Sequence, residues 1–140
     1  NLLMYPLYGF HDLYEGIRKT FRTIVQNNDP HYIQCWLNVY NKGDYIQWHH
    51  HFPPEAYSWH GFFCVDTEPG SYTSYRIPGQ DHITDIPSED NLIVLSRSAG
   101  DEHRSSEWPF EDRPRITIAF DILPQQKVWW NQWLNHWIPI

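Results

Sequence analysis

From residue 32 to residue 123 the chain is interrupted roughly every ten residues by a turn signal, and that spacing limits the folds open to it. Asn41-Lys42-Gly43-Asp44, Pro53-Pro54, Glu68-Pro69-Gly70, Pro78-Gly79 and Ser98-Ala99-Gly100 each follow an apolar or aromatic run, and Pro124 stops the last one. The runs between them are too short for ordinary helices. They are rich in Val, Ile, Tyr, Phe and Trp, which suit a pleated, half-buried surface. Strands are expected over 32–40, 45–51, 57–65, 71–77, 92–95 and 115–122. The stretch 57–65 is almost continuously apolar and aromatic, the pattern of a strand buried on both faces. Seven or so short strands at this spacing predict a mainly β sandwich or barrel.

The flanks read differently. Over 11–26, Leu13, Ile17, Phe21, Ile24 and Val25 recur at steps that suit one face of a helix, and Asn27-Asn28-Asp29-Pro30 ends it. This helix is expected outside the sheet, with no chemistry of its own. At the other end, 125–138 carries four of the eight tryptophans, with Trp130, Trp133, Leu134 and Trp137 at helical steps. A short helical tail is expected there, packed on the outer face of the sheet and partly covering the first helix. The sharper alternative is a homodimer surface, because four exposed tryptophans exceed the apolar patch a monomer tolerates. At 140 residues, with no linker or repeat, the chain reads as one domain, 1–140, with its core at about 32–123.

Charge narrows the partners. A net charge of −7 with only ten Lys and Arg leaves no broad basic surface for a phosphate backbone. Nucleic acid is therefore disfavoured as a main partner, and a small-molecule or peptide substrate fits better. No run approaches 18 apolar residues and no signal-peptide pattern opens the chain, so a soluble, cytoplasmic protein without membrane association is expected. Cys35 and Cys64, each inside an apolar run, read as a buried, reduced pair suited to that compartment. Aromatics make up 17% of the residues, enough for a rigid interior or an aromatic-lined cleft.

The residues that carry chemistry are histidines and one arginine. His49, His50 and His51 sit between the Gly43-Asp44 turn and Pro53-Pro54. On an extended strand successive side chains alternate, so His49 and His51 share a face and His50 points away. Two imidazoles so placed suit a single divalent ion such as Fe, Zn, Cu or Ni. His103, after a core strand and a glycine turn, is placed to add a third. Twelve residues on, alternation puts Arg115, Thr117 and Ala119 on one face, with Ile116, Ile118 and Phe120 on the other. An Arg on such a face is expensive to bury without an anion, unless a surface pair with Glu111 or Asp112 claims it. His60 reads as a packed or hydrogen-bonded residue, and Arg76 as a solvated one that could reach a substrate mouth.

Taken together these residues resemble a known superfamily. The strand Trp36-Leu37-Asn38-Val39-Tyr40, the Gly43-Asp44-Tyr45 turn, His49-x-His51, the aromatic strand, the distal His103 and Arg115-x-Thr117 look like the Fe(II)- and 2-oxoglutarate-dependent oxygenases. The likeness is greatest to their small phage- and bacteria-associated members and covers about 32–123. It implies a double-stranded β-helix, a jelly-roll and cupin-like fold, in a bacterial or phage-infected cell. It implies Fe(II) held by His49, His51 and His103, and 2-oxoglutarate held by Arg115 and Thr117. Asn38 and Tyr40 would line the cosubstrate pocket, and hydroxylation by O₂ would release succinate and CO₂. One position departs from the pattern. The usual second ligand is a carboxylate, and here it is His51. Asp44, Glu55 or Asp101 could replace one histidine, Asp101 being the best placed. Three-His cupin-like dioxygenases or isomerases without 2-oxoglutarate stay open as an alternative, as does a non-catalytic jelly-roll binding module.

Overall fold

The computed structural model describes residues 1–98, 101–128 and 137–140. After a 3₁₀ turn at Leu2–Met4, helix α1 spans Phe10–Ile24. Gly9 caps its start with φ at 80°, a left-handed turn that glycine reaches without steric cost. Strands β1 (His31–Tyr40), β2 (Trp59–Asp66), β3 (Tyr72–Arg76), β4 (Ile83–Pro87), β5 (Ile93–Arg97), β6 (Glu102–Ser105) and β7 (Arg115–Pro124) follow. A four-residue helix α2 (Gln125–Val128) and a two-residue strand β8 (Ile138–Pro139) complete the described elements.

The strands form two antiparallel sheets, one ordered β5-β2-β7-β1-β8 and the other β4-β3-β6. Their facing surfaces meet through Phe62, Cys64 and Ala119 of the large sheet and Tyr75 of the small one, with Trp36, Ile77 and Ile86 packed against them. The opposite face of the large sheet is covered by α1. Ile17 and Phe21, both buried, pack with Ile33, Cys35, Ile118, Phe120 and Ile122, and Leu13 and Val25 sit against the same cluster. The fold is the expected double-stranded β-helix. Where β2 passes Phe120 only glycine fits, since a Cβ on Gly61 would lie 2.4 Å from Phe120 Cζ and 2.4 Å from the Val94 carbonyl oxygen.

Strand β7 sits at the centre of the large sheet. It pairs with β1 over its whole length, so that Tyr40 faces Arg115, Asn38 faces Thr117, Trp36 faces Ala119 and Gln34 faces Asp121. On its other side Cys64 faces Thr117, Phe62 faces Ala119 and His60 faces Asp121. Period-two alternation then brings these residues together on the surface turned toward the small sheet.

Several expectations need correction. The stretch 45–51 is not a regular strand. It follows β6 through a single bridge, His49 to His103, and through the Ser105 N–H donating to the Ile46 carbonyl at 3.1 Å. The ladder is broken because the Ile46 N–H donates to the Ser105 hydroxyl, at 2.7 Å, instead of a carbonyl. Strands β4 and β6 had no sequence signal strong enough to be expected. Ile24, expected on the buried face of α1, is 49% exposed as the last residue of the helix. Among the described residues the helical tail is seen as α2. Trp129, Trp130 and Trp133, and with them the proposed dimer surface, lie outside the described residues. Ile138, expected in that helix, instead pairs with Ile33 as part of β8. Tyr14 of α1 donates to the Pro139 carbonyl at 2.8 Å and Arg22 to the Ile140 carbonyl at 2.6 Å, so the last residues lie beside the first helix.

Candidate metal centre and anion pocket

Between the sheets lies a cavity of about 80 Å³, lined at one end by histidines and at the other by Arg115. At the histidine end, the ligand-capable atoms of His49, His51 and His103 all lie within 4.8 Å of one another. The backbone supplies this geometry. The bridge between His49 and His103 is closed by two hydrogen bonds of 3.0 and 2.9 Å, which sets their rings 4.2 Å apart. His51 follows two residues after His49 and stacks near His103 at 5.3 Å. His50 is exposed. The expected alternation therefore holds although the segment is not a regular strand.

Each ring has its tautomer set from behind. His49 Nδ1 lies 2.8 Å from the Gln47 carbonyl oxygen, and a carbonyl can only accept, so Nδ1 carries the proton and Nε2 keeps its lone pair. His103 Nδ1 makes the same contact with Asp101 at a longer 3.5 Å. His51 Nδ1 lies 2.9 Å from Asp121 Oδ1, and its Nε2 is buried with no hydrogen-bond partner. A buried lone pair without a donor is costly, and a metal ion is the partner that satisfies it without a proton. The donor set thus fits a divalent transition metal, for which neutral imidazole is a good ligand. Electrostatics agree. Burial, and then the neighbouring histidines, hold His103 down at about 2. Burial lowers His49 as well. Both rings are neutral at physiological pH and ready to ligate.

Sequence reasoning missed Asp121. It is 3% exposed and takes two imidazoles on one oxygen, His51 at 2.9 Å and His60 at 3.1 Å. Burial pushes its carboxyl up, but the hydrogen bonds from His51 and His60 hold it at about 2, so it is anionic. Burial lowers His60 to about 4. The signal was present in the chain, because alternation along β7 from Arg115 through Thr117 and Ala119 reaches Asp121 at the next step. His60 is hydrogen-bonded, as expected, and it also belongs to the cavity wall. The carboxylates considered as replacements are elsewhere. Asp44 is exposed and accepts from the Asn41 N–H, and Glu55 is exposed in a 3₁₀ turn spanning Pro54–Ala56. Asp101 offers His103 its backbone carbonyl. Arg76 pairs with Glu102 and lies over Trp48, on the face of the small sheet turned away from the cavity.

At the other end, Arg115 is 2% exposed. Its Nη2 donates to the Thr73 hydroxyl at 3.3 Å, and its carbon Cζ lies 5.1 Å from the centre of the Tyr40 ring. Nε and Nη1 have no partner. The neighbouring acids are engaged with other cations, Glu111 with Lys42 and Asp66 and Glu68 with Arg113, so the expected surface-pair alternative fails. Burial lowers Arg115 below its ordinary value. Burial raises the Tyr40 hydroxyl above its ordinary value, and Arg115 first, then Thr117, Ser105 and Asn38, draw it partly back. A planar fork of donors thus lines the cavity beside the hydroxyls of Tyr40, Thr73, Ser105 and Thr117 and the amide of Asn38. Such a set of donors can receive a carboxylate.

No protein-family profile matches the chain, and no curated protein does. Solved structures do. One is an oxidoreductase of the 2OG-Fe(II) oxygenase family from Burkholderia pseudomallei, with TM-score 0.63 and 11% identity over 75% of this chain and 50% of that one. Another is the non-heme monooxygenase ThoJ as its nickel complex, with TM-score 0.57 and 14% identity over 77% of this chain and 49% of that one. Apo ThoJ matches at TM-score 0.54 and 13% identity, over 77% of this chain and 51% of that one. The chain spans about half the length of each. At these identities the likeness is one of fold.

Proposed function

We propose that this chain is an Fe(II)- and 2-oxoglutarate-dependent dioxygenase that hydroxylates a small-molecule or peptide substrate and releases succinate and CO₂. The observation that carries the reading is Arg115, a buried guanidinium with two unpartnered nitrogens at the far end of a cavity that begins at three converging imidazoles. A ligand that satisfies both ends must offer a carboxylate to one and a metal-binding group to the other, and 2-oxoglutarate does both. The likeness in fold to proteins named as an oxygenase and a monooxygenase, one of them carrying nickel, points the same way.

His49, His51 and His103 would hold the iron, which would supply the redox centre for O₂ activation when bound. Arg115 binds the distal carboxylate through its fork. Thr117 and Tyr40 add hydroxyls at the same end, and Asn38 supports Tyr40 from β1. Trp36, Phe62 and Ile46 form the apolar part of the cavity wall. They keep water from competing for the carboxylate, which strengthens the pair.

A three-His cupin-like dioxygenase working without 2-oxoglutarate is the second reading, favoured by one fact: all three converging groups are imidazoles. Anaerobic titration separates the two. With Fe(II) and 2-oxoglutarate together, the visible charge-transfer band of the chelate is expected. Binding of Fe(II) with no band and no heat on adding 2-oxoglutarate would overturn the proposal in favour of the cupin-like reading. Failure to bind any divalent metal would leave a binding module.

A further inference from the structure

Three neutral imidazoles lack the negative charge that a carboxylate ligand brings to an iron site, and a buried carboxylate stands directly behind one of them. Asp121 Oδ1 accepts from His51 Nδ1 at 2.9 Å and from His60 Nδ1 at 3.1 Å. Its Oδ2 lies 3.4 Å from Gln34 Nε2. No Lys or Arg among the described residues pairs with it. We infer that Asp121 is the positioning residue of the metal centre: it holds His51 in the Nδ1-protonated form, so that Nε2 faces the ion, and keeps one negative charge behind the neutral ligands. This rests on the three-histidine reading above.

Two observations besides the hydrogen bond support it. First, the ladder places Asp121 between His60 on β2 and Gln34 on β1. Both neighbours donate to the carboxylate, and the His60 ring packs on His51 with centroids 3.7 Å apart. The carboxylate is thus fixed from both sides and can aim only one remaining way. Second, the buried charges balance. Asp121 and Arg115 are the two ionised groups on this face of β7, of opposite sign and at opposite ends. A divalent ion beside the first and a dianionic cosubstrate against the second leave the cavity neutral. Ligand-orienting carboxylates of this kind typically change metal affinity by 10- to 100-fold. The same atoms could instead form a second metal site, because His51, His60 and Asp121 also lie within 4.8 Å of one another, and the experiment must tell these apart.

Titrate Co(II) into the metal-free full chain, following heat and visible absorption, for wild type, Asp121→Asn and Asp121→Ala. One ion per wild-type chain is expected. Asp121→Ala should bind about 10- to 100-fold more weakly with a changed cobalt spectrum, and Asp121→Asn, which keeps an acceptor but loses the charge, should fall between. Long-range ¹H–¹⁵N spectra of the metal-free wild type should show His51 protonated at Nδ1, a result that does not require any variant to fold. His51 protonated at Nε2, equal affinity in all three proteins, or two ions per wild-type chain would each overturn the inference. Wild type that binds no Co(II) at all refutes the three-histidine reading itself.

Discussion

Replacing Arg115 by Met keeps an unbranched side chain of comparable length in the cavity and removes the charge. In the ligand-free protein that charge is a liability. Two of its three nitrogens have no partner, the third has one hydroxyl at 3.3 Å, and an isolated buried cation costs several kcal/mol. Arg115→Met should therefore raise the urea midpoint of the metal-free protein, by roughly 1 kcal/mol or more. The same substitution should abolish what the site gains from its ligand. Losing one partner of a desolvated charge pair costs about 2–5 kcal/mol, which is about 30-fold to several-thousand-fold in affinity. Calorimetric titration of 2-oxoglutarate into the anaerobic Fe(II)-loaded protein measures it. Iron affinity should barely change, since Arg115 touches none of the three histidines. Arg115→Lys should recover part of the binding, because ammonium lacks the planar fork. Equal 2-oxoglutarate binding in wild type and Arg115→Met would refute the reasoning. So would an apo protein that is destabilised, because the guanidinium would then be a structural element already satisfied by the fold.

Three further outcomes are expected. His103→Ala should lose metal binding while His50→Ala, altered at an exposed side chain, should keep it; metal content after gel filtration reads this directly. Gly61→Ala should destabilise the fold by about 1–3 kcal/mol or more, since the Val94 carbonyl 2.4 Å from the new Cβ is backbone and cannot swing aside; chemical denaturation checks it. Metal-free protein should lose stability as pH falls below about 6.5. Burial depresses His60 to about 4 in the folded chain, so between these values the unfolded chain takes up a proton the folded one refuses. The loss is about 1.4 kcal/mol per pH unit from this group, and a urea midpoint unchanged from pH 7 to pH 5 would contradict it.

How far the chain could be read ahead of its structure depended on where backbone pairing was regular. Along β1 and β7, two long strands hydrogen-bonded to each other throughout, strict alternation placed Asn38, Tyr40, Arg115 and Thr117 on one face. Asp121 is the next residue of the same alternation, one step beyond Ala119. His49 and His51 were assigned to one face correctly, although the segment carrying them is not a ladder strand. Alternation needs only extended backbone, whereas strand pairing needs partners on the right atoms, and Ser105 supplies a hydroxyl where a carbonyl was required. Short strand β6 leaves little trace because all four of its residues are polar, and β4 because it is five residues long with only Ile83 and Ile86 as large apolar side chains. His60 reads from the sequence as a packed or hydrogen-bonded residue, with no partner named. Its importance comes from Asp121 lying across the ladder, a relation between residues 61 apart that no local pattern expresses.

Because β7 is hydrogen-bonded on both sides, by β1 along its whole length and by β2 along most of it, the span from Arg115 to Asp121 behaves as a fixed gauge. Stretching it would break two ladders at once. The distance from the cation to the carboxylate behind His51 is therefore set by the peptide geometry of one strand. If the cavity takes a diacid, as proposed above, Ala119, which faces Trp36 and Phe62 across the neighbouring strands, lies along its path. On that reading Ala119, which lines the cavity, is the position at which a larger side chain would shorten the space left for such a ligand.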